Sequence, residues 1–193
     1  MTIAGPDGLF LHASAVVAEG GACLFLGHST AGKSTIAGKL GSIYPVLADD
    51  SVFAAPAAAG DWRVVDGGFR FGRGWGLDEW QAAVRRQFQE GQGVPVRKCF
   101  RIHQAAAMRM EPMPPVELGK HLMDAAMEID VQRKFGKQSS GNPSERLAWH
   151  QISVQRRRWF HQAADLARTC PGWHLWFAKD TAPDELATCI RRA

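Results

Sequence analysis

Apolar residues fall in short runs over the first third of the chain and at helical spacing over much of the rest. Residues 9–17 read Leu-Phe-Leu-His-Ala-Ser-Ala-Val-Val and predict a strand, closed by the turn-forming Glu19-Gly20-Gly21. Residues 22–26, Ala-Cys-Leu-Phe-Leu, predict a second. So short a connection makes the two strands antiparallel neighbours, because a parallel crossover needs a dozen or more residues. Residues 44–48, Tyr-Pro-Val-Leu-Ala, predict a third strand ending at Asp49-Asp50, and residues 51–54 either continue it or begin another. After a small-residue turn at 56–60, Asp61-Trp62-Arg63-Val64-Val65 suits the partner strand of a further hairpin. Residues 67–76 carry five glycines with Arg70 and Arg73, the composition of a mobile basic loop.

The second half turns largely helical. Leu77, Trp80, Val84 and Phe88 recur at helical spacing over residues 77–90. Strand-like segments follow at 98–103 and 107–110, before Glu111-Pro112-Met113-Pro114-Pro115 breaks the chain. Pro115 opens a helix to about residue 129, and residues 134–143 read as a mobile loop. Ser144 caps a long helix to about residue 168. Trp173-His174-Leu175-Trp176-Phe177 predicts a last core strand, and Pro183 opens a final helix. The order is mixed α/β with antiparallel pairing, not a strict βαβ series.

Composition narrows the picture. At 193 residues, 46% hydrophobic and 22% charged, the chain reads as one globular domain over 1–193. The net charge of +4 suits anionic ligands but does not mark a nucleic-acid binder. Arg85-Arg86 and Arg156-Arg157-Arg158 lie in amphipathic helices and read as solvated faces. Cys23, Cys99, Cys170 and Cys189 are far apart, without metal-site spacing, which predicts reduced thiols. No apolar stretch approaches the roughly 20 residues needed to cross a bilayer, and the N-terminus has no secretory pattern. The expectation is a cytoplasmic protein with neither membrane nor nucleic acid among its partners.

The chemistry concentrates between the second strand and the first helix. Gly27-His28-Ser29-Thr30-Ala31-Gly32-Lys33-Ser34-Thr35 matches the phosphate-loop pattern G-x-x-x-x-G-K-[ST] in full, after an apolar strand and before a helix-forming run. Backbone N–H groups and the helix N-terminus of such a loop make a positive nest for phosphate. Lys33 is then expected at the β/γ-phosphates and Ser34 at Mg²⁺, with the nine residues 27–35 binding the nucleotide. Asp49-Asp50 ends the next strand, where a carboxylate can complete the metal shell with Ser34 and a second can accept a proton. Adjacent strand residues face opposite ways, so the two can divide these roles only where the strand ends or bulges. A solvated Asp-Asp turn is the plain alternative. Hairpin register brings His12 near the loop, where it could stabilise transferred charge; a satisfied core histidine is the plain alternative there.

Leu11-His12-Ala13-Ser14, the loop from Gly27 to Ser34 and Leu47-Ala48-Asp49-Asp50 together resemble the catalytic domain of the HPr kinase/phosphorylases, which share a P-loop fold with phosphoenolpyruvate carboxykinases. In that family a histidine stands fifteen residues before the first loop glycine, as His12 stands before Gly27. The segment from Val94 to Met110 is similar to small relatives of the family, among them putative serine kinases and the kinases of lasso-peptide gene clusters. The resemblance implies a mixed sheet with an antiparallel hairpin leading into the loop, and phosphate transfer from ATP to a hydroxyl, most often of serine, on a protein, peptide or small molecule. It implies Asp50 as the base, Asp49 as its support or a metal ligand, Lys33 on the transferred phosphate, Ser34 on Mg²⁺ and His12 at the phosphate. Apart from the resemblance, Arg70 or Arg73 could help neutralise charge, with solvation of the loop the plain alternative, and acceptor recognition is expected in the loops at 67–76 and 134–143. Family members often form homo-oligomers.

The sequence departs from the family pattern at two places. His28-Ser29-Thr30 replaces the usual Asp/Glu-Ser-Gly and removes a loop glycine, and the bifunctional members' Glu-Ile-Arg-Gly-Leu-Gly signature is missing. Kinase activity without the reverse phosphorylase reaction is therefore the leading expectation, and a catalytically degenerate nucleotide-binding regulator is the alternative.

Overall fold

The computed structural model describes residues 8–57, 60–67, 84, 86, 87, 91, 93–135 and 145–193. Among the described residues nine strands form one mixed open sheet: β1 Leu9–Leu11, β2 Ala13–Ala18, β3 Gly21–Leu26, β4 Val46–Ala48, β5 Val52–Pro56, β6 Trp62–Asp66, β7 Val94–Gln104, β8 Arg109–Met113 and β9 Gly172–Phe177. Four helices accompany it among the described residues: α1 Lys33–Leu40, α2 Pro115–Phe135, α3 Glu145–Thr169 and α4 Pro183–Arg192.

The hairpin into the loop has the expected antiparallel register, Ala13 opposite Leu26 through Ala18 opposite Gly21. Its two-residue turn puts both Glu19 (φ 53°) and Gly20 (φ 78°) in the left-handed region, the conformation that matches the twist of the flanking strands. β3 then pairs in parallel with β7, and β7 with β9. β7 has eleven residues, and the sheet forks along it. Its first residues carry β6, β5 and β1 in antiparallel order, while Cys99 to Gln104 carry β9 and then β8.

The stretch at residues 9–17 is not one strand. β1 pairs with β5 and β2 with β3 and β4, so the chain changes neighbours at His12, whose N–H donates to Ala125 O of α2 at 3.1 Å. The return strand does the same: β4 pairs with β2, β5 with β1, and Asp49-Asp50 bends between them. Residues 51–54 thus begin a new strand.

Two apolar layers sandwich the sheet. Leu24, Leu26 and Cys99 pack under α2 and α3 with Leu118, Leu122 and Leu166. Phe25, Phe100, Ile102, Leu175 and Phe177 pack on the other side with Ile36 and Leu40 of α1 and Leu186 and Ile190 of α4. Alternation along β3 and β7 produces this split, and it sets α1 and α2 on opposite faces of the strand that feeds the loop.

Other expectations shift. β7 starts at Val94 and β8 continues through Glu111-Pro112-Met113, where a break is expected; Pro112 is tolerated because β8 is an edge strand bonded only to β9. Lys134 and Phe135 still belong to α2, while 136–144, including Ser144, lie outside the described residues. So do Arg70, Arg73 and most of the helix expected at 77–90, of which Val84, Arg86 and Gln87 are described as helical. The four cysteines are free thiols. No helix among the described residues is long and apolar enough to cross a membrane.

Phe100 is fully buried at the centre of the sheet, its ring 5.5 Å from that of Phe25. Phe100→Ala is expected to cost about 3–5 kcal/mol of stability, read as a lower urea midpoint at unchanged slope.

Candidate functional site: the phosphate loop and its carboxylate–histidine neighbours

Gly27, buried at the end of β3, starts a loop in which His28, Ser29 and Thr30 are exposed. Ala31 N–H donates to His28 O at 3.0 Å, and Gly32 takes a left-handed φ of 100° as the cap of α1. Thr30 is also left-handed, at φ 72°. A β-branched side chain there is strained, and this is the position where the family resemblance leads one to expect glycine. Gln104 Nε2 at the end of β7 donates to Thr30 O at 3.2 Å and helps hold the turn. α1 has no acidic residue in its first turn, so its N-terminal N–H groups and dipole remain available to an anion.

Lys33 opens α1 and is 5% exposed. Its Nζ donates to Gly27 O at 2.8 Å and His28 O at 3.0 Å, so the ammonium rests against the loop's own carbonyls. Burial lowers its pKa first of all, with Arg101 adding to the effect and Glu128 and Asp50 opposing it. Ser14 Oγ of β2 donates to Lys33 O at 3.0 Å, tying the hairpin to the helix start. Ser34 and Thr35 are exposed on the first turn. Ser34 Oγ donates to Asp49 O at 3.4 Å, so it meets the backbone of the acidic pair, and the Asp49 carboxylate is left exposed.

His12 is 5% exposed and lies between two carboxylates. Its Nε2 is 3.2 Å from Asp50 Oδ1 and its Nδ1 is 3.0 Å from Glu128 Oε1 of α2. The Glu128 contact lies off the ring N–H direction, which makes it an ion-pair approach and not an aligned hydrogen bond. Asp49 and Asp50 occupy the bend between β4 and β5 and divide as the bend allows, Asp50 to His12 and Asp49 to the Ser34 side.

Beyond Gly27 and His28 a cavity of about 360 Å³ opens toward Arg101 of β7 and His121, Asp124, Ala125, Met127 and Glu128 of α2. A larger one, about 430 Å³, lies between α2 and α3 with mainly apolar walls such as Val116, Met123 and Phe160. The smaller has the chemistry, because the loop and the His12 neighbour Glu128 line it. Behind it, His103 Nε2 and His174 Nδ1 meet at 3.0 Å and His174 Nε2 is 3.1 Å from Glu117 Oε1. Burial, then the positive neighbours His174, Arg101, His121 and Arg109, push the His103 pKa down to about 4.

Glu128 and Arg101 are the site residues that sequence reasoning misses. Asp124 and Glu128 stand four apart on one helix, a spacing that places both on one face, but nothing along the chain directs that face to a histidine 116 residues away.

Two hard oxygen donors that could hold a divalent cation stand on neighbouring residues here: the Ser34 hydroxyl and the carboxylate of Asp49, whose backbone carbonyl accepts from that hydroxyl. No group of three or more His, Cys, Asp or Glu among the described residues is arranged to hold a metal. A Mg²⁺ at a phosphate loop needs fewer, since phosphate oxygens and water fill most of its shell.

Residues 2–179 match the family model described as SynChlorMet cassette protein ScmC. The chain belongs to the ScmC family. No curated protein matches it. The ScmC-family match spans the hairpin, the loop, the acidic bend and α2, so every residue of the site described above falls within it.

Thr30→Gly is expected to stabilise this ScmC-family protein by about 1 kcal/mol through relief of left-handed strain, read as a raised Tm. His103 is held neutral in the folded chain, while the unfolded chain protonates near the ordinary value of 6.5. Its share of stability is therefore complete above about 6.5 and is lost as pH falls toward 4. Urea midpoints should drop across that window, and the drop should be shallower in His103→Gln.

Proposed function

We propose that this protein is an ATP- and Mg²⁺-dependent kinase that transfers the γ-phosphate to a hydroxyl, with serine the first acceptor type to test. The observation that carries the reading is the His12–Asp50 pair, with Nε2 to Oδ1 at 3.2 Å: His12 stands at the entry to the strand antiparallel to the one that ends in the phosphate loop, and Asp50 lies in the β4–β5 bend. A carboxylate beside a phosphate loop can serve as base to an attacking hydroxyl. The specific P-loop kinase fold, of the type shared by HPr kinases and phosphoenolpyruvate carboxykinases, is part of the same proposal. The parallel β3–β7 pair and the antiparallel hairpin ahead of the loop support it.

Each residue then has a task. Loop N–H groups and the α1 N-terminus bind the β- and γ-phosphates, and Lys33 releases the Gly27 and His28 carbonyls to follow the transferred group. Ser34 and Asp49 would hold Mg²⁺, which would supply neutralisation of phosphate charge. Asp50 takes the acceptor proton as the acceptor oxygen bonds the γ-phosphorus; the bond from that phosphorus to its bridging oxygen breaks, and ADP leaves with the electron pair. His12, fixed by Glu128 on its far side, holds the Asp50 carboxylate in place. Catalysis is then mostly positioning and charge neutralisation.

A nucleotide-binding regulator without transfer is the second reading, favoured by the strained Thr30 within the loop. The two separate on one experiment with γ-labelled ATP, Mg²⁺ and serine, small peptides or host lysate as acceptors. Label should pass to an acceptor, and Asp50→Asn should slow transfer by about 10²- to 10⁴-fold at unchanged nucleotide affinity. ATP binding without transfer favours the regulator. Lys33→Ala should weaken ATP binding about tenfold or more; unchanged affinity in that variant refutes the phosphate-loop assignment itself.

A further inference from the structure

Arg101 stands beside Leu26 in the parallel register of β7 and β3, next to the residue that precedes the loop. Its neighbours Phe100 and Ile102 pack on the α1 face, so alternation turns Arg101 toward α2, where it lines the 360 Å³ cavity. Arg101 Nε is buried and has no hydrogen-bond partner among the described residues. A guanidinium carries five donors and keeps its charge, and a buried charged donor left unmade costs more than the usual 1–3 kcal/mol or so for a neutral one. Asp124 and Glu128 offset the charge electrostatically, without filling that donor.

The cavity lies on the opposite side of the loop strand from α1. The nucleotide phosphates belong at the α1 N-terminus with Lys33. Glu128, in turn, links the cavity wall to His12 and so to Asp50. An acceptor hydroxyl must reach the γ-phosphorus, and Gly27 and His28 of the loop form one wall of the cavity. Its size suits a small molecule or a single side chain.

We propose that this cavity receives the acceptor, and that Arg101 binds an anionic group, carboxylate or phosphate, carried a few bonds from the acceptor hydroxyl. The proposal rests on the kinase reading and adds the acceptor class to it. Arg101 binds the anion as a planar fork, fixing the hydroxyl toward Asp50.

The test uses the full chain with its loop saturated by Mg²⁺ and adenylyl imidodiphosphate. D-Glycerate as the carboxylate probe, glycerol 3-phosphate as the phosphate probe and glycerol as the neutral control are titrated by calorimetry into wild type, Arg101→Gln and Arg101→Lys, each checked for a cooperative melt. At least one anion should bind wild type, and its affinity should fall about 10- to 100-fold in Arg101→Gln. Arg101→Lys, which keeps the charge but loses the fork, should fall between. Nucleotide affinity should stay within about twofold in both variants, the size of change expected of a residue that makes no phosphate contact. The arm that binds identifies the anion. Absence of binding by either anion, or binding indifferent to Arg101, overturns the acceptor assignment while leaving the kinase reading in place. A parallel loss of nucleotide affinity overturns it too, by giving Arg101 to the nucleotide. Wild type that binds no nucleotide overturns the kinase reading itself.

Discussion

His12 occupies the point where three distant parts of the chain meet, and the candidate site depends on that crossing. β1 passes to β2 there, its backbone N–H is given to α2, and its ring lies between Asp50 and Glu128. Each ring nitrogen of this buried imidazole has a carboxylate oxygen within 3.2 Å, and losing either neighbour would raise the cost of burying a polar ring. The same contacts that orient Asp50 therefore join the hairpin, the β4–β5 bend and α2. Structure and chemistry use one set of side chains.

Around this crossing the sheet separates two electrostatic regions. On the α1 side a free helix N-terminus and the buried Lys33 present positive charge to the loop concavity. On the α2 side Arg101 is opposed by Asp124 and Glu128 in a cavity of mixed sign. Low-dielectric surroundings strengthen charge contacts and raise the cost of unpaired ones. Arg101 lowers the proton affinity of the buried Lys33 ammonium, so the two cations lie close enough to act on one another across the loop strand.

Much of this was legible along the chain. The phosphate loop, the hairpin ahead of it, the acidic pair after the next strand and the helices beginning at Pro115 and Pro183 rest on local signals: a motif, a tight turn and proline at a first helical position. The misjudged pieces share a non-local cause. Pro112 ends a strand by local rules, yet an edge position removes the penalty. Residues 9–17 have the pattern of one strand, and only pairing with two different neighbours divides them at His12. The glycine lost at Thr30 is visible along the chain, but the left-handed backbone that makes the loss matter is seen only in the fold.

By itself the sequence determined the mixed α/β class, the loop and the residue types that a phosphate ligand would need, because motif and periodicity are properties of neighbours along the chain. Tertiary structure alone decided which carboxylates face His12, that α1 and α2 lie on opposite sides of the loop strand, and that Arg101 points into a cavity with a donor unused. The reason is physical. Strand alternation says that a side chain takes one face or the other, but which helix covers that face depends on packing between segments more than a hundred residues apart.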